Sequence, residues 1–268
     1  MELVIAGIGS WSERFPSWPA LLRYLRAGAD MPDDVVPPGP FAERIPDRER
    51  RRAPLHVKIA VEVAQQAVDA SGFDPASLPS VFTSGMGDVK TTDLICRALA
   101  APQKIISPTH FHNSVHNASS GYWSIAAACH ERSTSVSGFR HSFGIALLEA
   151  AVLCQTEGRP TMLVACDIGT ERPLDAICPI AGPFGVALVL GPSGTAGHAR
   201  MEISLEPASG GDDEESDLAT RLGLAGNPAA RALDLLARLA TGATARPLAM
   251  PIGSGTRLLV EVLQEQEQ

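Results

Sequence analysis

Apolar positions recur along this chain in two spacings, and the alternation between them predicts strands and helices in turn. Leu3–Ile8 is a continuous apolar run closed by Gly9-Ser10, the pattern of a buried strand. The segment 30–54 carries Pro32, Pro37, Pro38, Pro40, Pro46 and Pro54 and reads as loop. Leu55, Ile59, Val63, Ala67 and Val68 then fall on one face of a helix running to Ser71, with Gly72 beyond its end. Ser80–Ser84 reads as a strand leading into Gly85-Met86-Gly87-Asp88, followed by helices over Thr91–Ala101 and Asn117–Ala128. Further strands are expected at Thr134–Ser137, Met162–Cys166, Val186–Leu190, Met201–Leu205 and Arg257–Leu263, with a helix at Ala229–Leu239. Ser209–Asp217 reads as a flexible acidic loop, and the polar tail Gln264–Gln268 as frayed. Alternating strands and helices make this an α/β layered fold, and no repeat at a solenoid period is visible.

The helix expected over His141–Glu157 differs from the others because it is apolar almost all round, with Phe143, Ile145, Leu147, Leu148, Ala150, Ala151, Val152 and Leu153. Such a helix is buried on every side, so its N-terminus is expected to open into the interior. An interior helix N-terminus favours an oxyanion or a thiolate, and many enzymes place a nucleophilic cysteine there. This chain has Phe139, Arg140 and His141 at that point.

Bulk properties narrow the function classes. A chain of 268 residues, 45% hydrophobic, suits one large domain or two small ones. The net charge of −8 argues against nucleic acid or an anionic membrane as partner. Five cysteines without a C-x-x-C pair read as reduced thiols in a cytoplasmic protein. No stretch approaches the ~20 apolar residues of a membrane span. The N-terminus lacks the basic region of a signal peptide.

Several local patterns point to chemistry and then fall short. Gly7-x-Gly9 lacks the third glycine of a dinucleotide fingerprint, since Ser12 stands there. His110, His112 and His116 have no carboxylate or thiolate beside them to complete a metal site, so no metal is expected. Cys166 and Asp167 would point to opposite faces of a strand. Cys129-His130 reads as a buried structural cysteine beside a histidine. His141-Ser142 lacks an oriented third group nearby, although a distant residue could supply one. Arg44, Arg48, Arg50, Arg51 and Arg52 form a basic cluster on an acidic chain. It would suit docking of an acidic carrier protein, or a solvated segment paired with Glu43, Asp47 and Glu49.

Three segments taken in order resemble the N-terminal half of a β-ketoacyl synthase of the thiolase-like superfamily. They are S-P-T-H-F-H-N-S-V-H-N-A-S-S-G-Y-W-S-I-A at 107–126, the elbow S-T-S-V-S-G-F-R-H-S at 133–142 with its helix, and the strand pair Thr161–Asp167 and Pro183–Leu190. The first segment, with Phe41 through the arginine cluster, is particularly similar to the short chain length factors of aryl-polyene biosynthesis. The resemblance implies a thiolase-like α/β/α fold as one domain over 1–268. Residues 1–192 would form the N-terminal half and 193–268 an abbreviated, incomplete second half. A gapless count from Ser133 places Arg140 where the family's acylated cysteine stands. Arg140 cannot form a thioester, so no catalytic residue is expected, and its guanidinium should find a carboxylate or carbonyl partner or turn outward. The family's two catalytic histidines come from its C-terminal half, whereas after His141 this chain has only His198, in a loop-like stretch.

The resemblance further implies pairing through the elbow strand and its continuation, residues Thr134, Ser135, Val136, Ser137, Gly138 and Phe139. The loop before Asn117, with His110 and Phe111, would line the partner's acyl tunnel. The expected role is a non-catalytic chain length factor subunit paired with a full ketosynthase, with no cofactor. An acyl carrier protein is a further partner, docking on Arg48, Arg50, Arg51 and Arg52. Two alternatives remain open: an acyltransferase or thioesterase-like enzyme using Ser142, Cys129 or another residue, and a homodimeric binding protein for acyl groups or acyl carrier protein.

Overall fold

In the computed structural model, which describes residues 1–27, 39–208, 216–242, 246–253 and 255–263, one mixed sheet forms the centre of the molecule. Its strands are β1 (Glu2–Ser12), β2 (Ser80–Thr83), β3 (Ser133–Val136), β4 (Thr161–Asp167), β5 (Phe184–Pro192), β6 (Ala199–Pro207), β7 (Leu248–Gly253) and β8 (Thr256–Leu263). They lie in the order β3-β2-β4-β5-β1-β6-β8-β7. The first three are parallel, and every later pairing is antiparallel. The helices are α1 (Trp18–Ala27), α2 (Asp47–Arg50), α3 (Leu55–Ser71), α4 (Val89–Ala100), α5 (Pro108–Asn113), α6 (Ala118–Ala127), α7 (Ser142–Glu157), α8 (Asp217–Arg221) and α9 (Leu233–Thr241).

Two apolar layers sandwich the sheet, as alternation along a doubly covered strand requires. Met162, Val164 and Cys166 of β4 join α3 and α6 on one face, while Leu163 and Ala165 join α7 on the other. In β1 a bulge between Ile5 and Gly7 resets the alternation. Leu3, Ile5 and Ile8 face the α7 layer, and Ala6 and Trp11 face α3.

The antiparallel strands β6, β8 and β7 curl the sheet toward the first turn of α7. A Cβ on Gly144 would lie 3.0 Å from Ile252 Cγ2 and 3.2 Å from the Pro251 carbonyl oxygen. Together with Ala230, Leu233 and Leu236, these strands cover the side of α7 that the sheet's parallel part leaves open. Expectation and structure differ at three places here. Val152, Gln155 and Thr156 of α7 are exposed, because the cover does not extend over the last turns of the helix. Within the stretch read as loop, Asp47–Arg50 forms a turn of helix. The helix read over Ala229–Leu239 is a 3-10 segment, Pro228–Ala232, followed by α9. The acidic stretch 209–215 and the tail 264–268 lie outside the described residues, and Asp217 opens α8.

Candidate functional site

The elbow is built at the end of the sheet. Among the described residues β3 pairs only with β2, which leaves its far side an open edge. Ser80 donates to the carbonyl of Arg132 at 3.0 Å. In a parallel ladder this turns the backbone groups of Thr134 and Val136 toward β2 and those of Ser133 and Ser135 outward. Val136 is further held by the Thr83 hydroxyl, which donates to its carbonyl at 3.0 Å.

Gly138 follows the strand, and a Cβ there would meet Ile145 Cδ1, so a larger residue would require that side chain to turn aside. Phe139 sits at φ 53°, a left-handed conformation unusual for a bulky residue. Ser142 locks the bend: its hydroxyl accepts from the Gly138 N–H at 3.0 Å and donates to the Phe139 carbonyl at 2.7 Å. With Ser142 only 1% exposed and both roles taken, the hydroxyl is a structural cap and has no free role as a nucleophile.

The helix N-terminus does not open into a sealed interior. Phe139 and Arg140 are exposed, and they form one wall of a surface cavity of about 460 Å³. Arg140 takes the outward-turned option, its Cζ standing 5.7 Å from the centroid of the Phe139 ring. The opposite walls come from Thr170, Asp175 and Cys178–Ala181 after β4, and from Ser216, Ala219 and Ala225–Arg231 of the C-terminal region. These segments are tied together. Thr170 Oγ1 donates to the Cys178 carbonyl and accepts from the Ile180 N–H. Ala181 N–H donates to the Ala225 carbonyl.

Asp167 is the junction beneath this cavity. Its Oδ1 accepts from Ser84 Oγ at 2.6 Å and from the Gly85 N–H at 2.9 Å. Asn227 Nδ2 donates to the Asp167 carbonyl and to that of Gly182, while its Oδ1 caps the 3-10 turn at Ala229 and Ala230. Burial pushes the Asp167 carboxyl up to about 7, against the opposing pull of its hydrogen bonds. The folded chain therefore holds this proton where the unfolded chain releases it, and stability falls as pH rises from about 4 to about 7. At about 1.4 kcal/mol per unit, the ceiling of that loss is roughly 4 kcal/mol. Asp167→Asn keeps an acceptor for Ser84 and removes the proton. Thermal unfolding across pH 4–8 should show the wild-type chain losing stability relative to this variant, and parallel pH curves would contradict the assignment.

The other candidates separate. Cys166 and Asp167 do face opposite sides of β4, and burial raises the Cys166 thiol. Cys129 is buried and hydrogen-bonded to the Leu78 carbonyl, while His130 is exposed. His56 Nε2 donates to the Cys166 carbonyl at 3.0 Å, which leaves Nδ1 to accept from Ser119 Oγ at 3.1 Å. Burial lowers its pKa accordingly. His112 packs edge-on to Tyr122, and His116 stands 3.5 Å from the Ser84 carbonyl. Among the described residues no three histidine, cysteine or carboxylate side chains gather as a metal site.

His110 and Phe111, expected in a loop, lie on the short helix α5, which starts at Pro108 in the first helical position. Phe111 is 65% exposed, as is Ile125 of α6 at 60%. Helix α6 adjoins the open strand through Ser120 Oγ and Ser135 Oγ at 3.3 Å. In the arginine cluster, Arg48, Arg51 and Arg52 are exposed. Arg50 pairs with Asp47, and Arg44 pairs with Asp69 at 2.6 Å rather than with the nearby acids of its own segment. Beside them Phe41, Lys58, Arg50 and Arg51 enclose a shallow depression. The sequence reading missed Asn227 and the cavity walls, although Asn-Pro at 227–228 is a readable cap signal. No described helix is long and apolar enough to cross a membrane.

Residues 26–250 match the family model of the β-ketoacyl synthase N-terminal domain. No curated protein matches the sequence. Among solved structures, the chain is similar to one in the complex of a ketosynthase (ApeO) with its chain length factor (ApeC) from Xenorhabdus doucetiae. That likeness has 20% identity and a TM-score of 0.71, over 97% of this chain and 99% of that one. A chain of the ishigamide ketosynthase/chain length factor gives 14% identity and a TM-score of 0.70, over 98% and 99%. A chain of the AntDE:AntF complex, a type II acyl-carrier protein with its ketosynthase, gives 11% identity and a TM-score of 0.73, over 97% and 98%. The fold is thus the thiolase-like fold of ketosynthases, and the chain belongs to the β-ketoacyl synthase family.

Proposed function

We propose that this protein is a non-catalytic chain length factor subunit that pairs with a full ketosynthase and shapes its acyl tunnel, in synthesis of a polyene or a related fatty-acid-like chain. The observation that carries the reading is the elbow: Arg140 stands at the bend, Ser142 is spent as a cap, and β3 beside it is an open edge. Residues 1–192 would be the synthase-like half and 193–268 an abbreviated extension that covers α7 in place of a second half. Pairing runs along Ser133–Val136, with Ser137, Gly138 and Phe139 at the corner, and His110 and Phe111 on α5 reach the partner's tunnel. The exposed face of Arg48, Arg51 and Arg52, with Arg50 behind, supports docking of an acyl carrier protein, whose acidic surface it complements.

Co-expression with a full-length ketosynthase of the same organism should yield a stable heterodimer. A ketosynthase that is fully soluble and active alone, with no complex, would rule the reading out. Incubation with acyl-thioesters should leave Ser142 and Cys129 unmodified by peptide mapping, since the one is a spent cap and the other a buried thiol. An adduct at either site would instead favour an acyl-transferring enzyme.

A further inference from the structure

Asp167 sits where three parts of the chain meet, and one of them is the corner of the open edge. The residue is 1% exposed, and its Oδ1 takes the Ser84 hydroxyl and the Gly85 N–H, with the Met86 N–H at 3.4 Å. Oδ2 is buried without a hydrogen-bond partner among the described residues, because the nearby Ala229 N–H goes to Asn227 Oδ1. A buried polar atom left unpaired is an exception in folded proteins and calls for a reason.

The Gly85 loop carries this junction to the elbow. Ser137 Oγ donates to the Gly85 carbonyl at 3.3 Å. A Cβ on Gly85 would lie 2.5 Å from Pro228 Cγ and 2.8 Å from the Phe139 carbonyl oxygen, so the loop is wedged between the C-terminal 3-10 turn and the bend. Phe139 holds its φ of 53°, which a bulky residue keeps only where its surroundings impose it. Gly85 on one side and the Ser142 cap on the other are those surroundings. The elbow thus has a relaxed alternative, reached when the loop lets go.

We propose that Asp167 is a proton-operated latch on this corner: the neutral carboxyl keeps the Gly85 loop seated and the elbow in its strained shape, and the carboxylate releases both. An unpaired buried charge is costly, so ionisation favours an opening that admits water. The titratable and charged groups on the elements around Asp167 are Cys166 on its own strand, Asp88 after β2, Asp175 and Cys178 after β4, Arg140 and His141 at the elbow, and Arg231 in the 3-10 turn. After burial, its charge is what raises the Cys166 and Cys178 thiols. The seated carboxyl titrates near 7, whereas a hydrated one returns to its ordinary 3.8. Opening therefore releases a proton at pH 6 and hardly any at pH 8, and the open fraction grows about tenfold between them.

The consequence for a partner, tighter pairing below pH 7 than above it, rests on the proposed pairing along β3; the latch itself is tested on the full chain alone. Hydrogen exchange read by mass spectrometry at pH 6 and pH 8 compares the elbow, Val136–Phe143, with the buried helix α3, each corrected for the intrinsic pH dependence of exchange. In the wild type, elbow protection should fall about tenfold from pH 6 to pH 8 while staying well below that of α3, the mark of a local opening. In Asp167→Asn, which carries no ionisable proton, elbow protection should be the same at both pH values. The latch is overturned if the wild-type elbow shows no such fall, if it exchanges only as fast as α3 and so only by global unfolding, or if folded Asp167→Asn keeps the full pH dependence. Should Asp167→Asn not fold, the two wild-type comparisons decide, and a chain that forms no heterodimer leaves this result unaffected.

Discussion

On the proposed pairing along β3, Ser135→Pro should separate the chain from a ketosynthase partner while leaving its own fold intact. The residue sits in the middle of β3, and its N–H belongs to the set turned away from β2, because Arg132 and Val136 on either side present their carbonyls inward. Proline is tolerated on an edge strand when its missing N–H faces outward. The chain alone would lose only the 3.3 Å contact between Ser135 and Ser120, and its stability should change by about 1 kcal/mol or less. In the heterodimer the same substitution deletes a ladder hydrogen bond and puts a ring against the incoming strand. At about 1.4 kcal/mol per decade of affinity, roughly 10–100-fold weaker association is expected. Thr134→Pro is the counterpart, since its N–H points to β2, and it should destabilise the isolated chain itself. Size-exclusion chromatography of the co-expressed pair and thermal melts of each variant alone measure both effects. Equal co-purification of wild type and Ser135→Pro would place the interface elsewhere.

What could be read from the residues was the part of the fold governed by local period. The strands at Leu3–Ile8, Met162–Cys166 and Val186–Leu190 lie within β1, β4 and β5 because each is a doubly covered strand with an unbroken apolar run, and the long helices correspond to α3, with its apolar face, and to α7, apolar almost all round. Strand β7 was not legible, since Pro247 and Pro251 break its pattern, and its fitness as a strand depends on lying at the sheet's end next to β8. Helix α5 was hidden by the polar sequence T-H-F-H-N, which shows no core-facing stripe because only Asn113 is buried. The elbow could be located from its sequence, but its surroundings could not. The cavity joins residues near 140, 175 and 228, and Asp167 gains its role from Ser84 and Gly85, all brought together by the sheet order.

Gly9→Ala should be among the most damaging single substitutions in the molecule, for a reason opposite to the one its spacing suggests. Gly7-x-Gly9 looks like a fragment of a phosphate-binding turn, yet both glycines lie inside β1, where helix α3 crosses at backbone distance. A Cβ at Gly9 would collide with the Val63 carbonyl oxygen and lie 2.9 Å from the Ala67 nitrogen. At Gly7 it would collide with the Ala67 carbonyl oxygen and lie 2.9 Å from the Ser71 nitrogen. The obstructing atoms are main chain of a buried helix, so no rotamer change relieves them, and α3 must move off the sheet. That separation opens the layer of Val63, Ala64, Ala67 and Val68 against Ala6 and Trp11. Overpacking usually costs ~1–3 kcal/mol, and a backbone obstruction belongs at the upper end. For a chain of this size about 3 kcal/mol lowers the melting temperature by roughly 5–10 °C. Gly39→Ala is the control, since among the described residues nothing stands within 4 Å of its added Cβ, and it should melt as the wild type does. A wild-type melt for Gly9→Ala would mean that β1 and α3 do not meet in this register. A loss at Gly9 without loss at Gly39 ties Gly9 to helix packing, where its effect is on the fold of the chain and so on every surface it offers a partner.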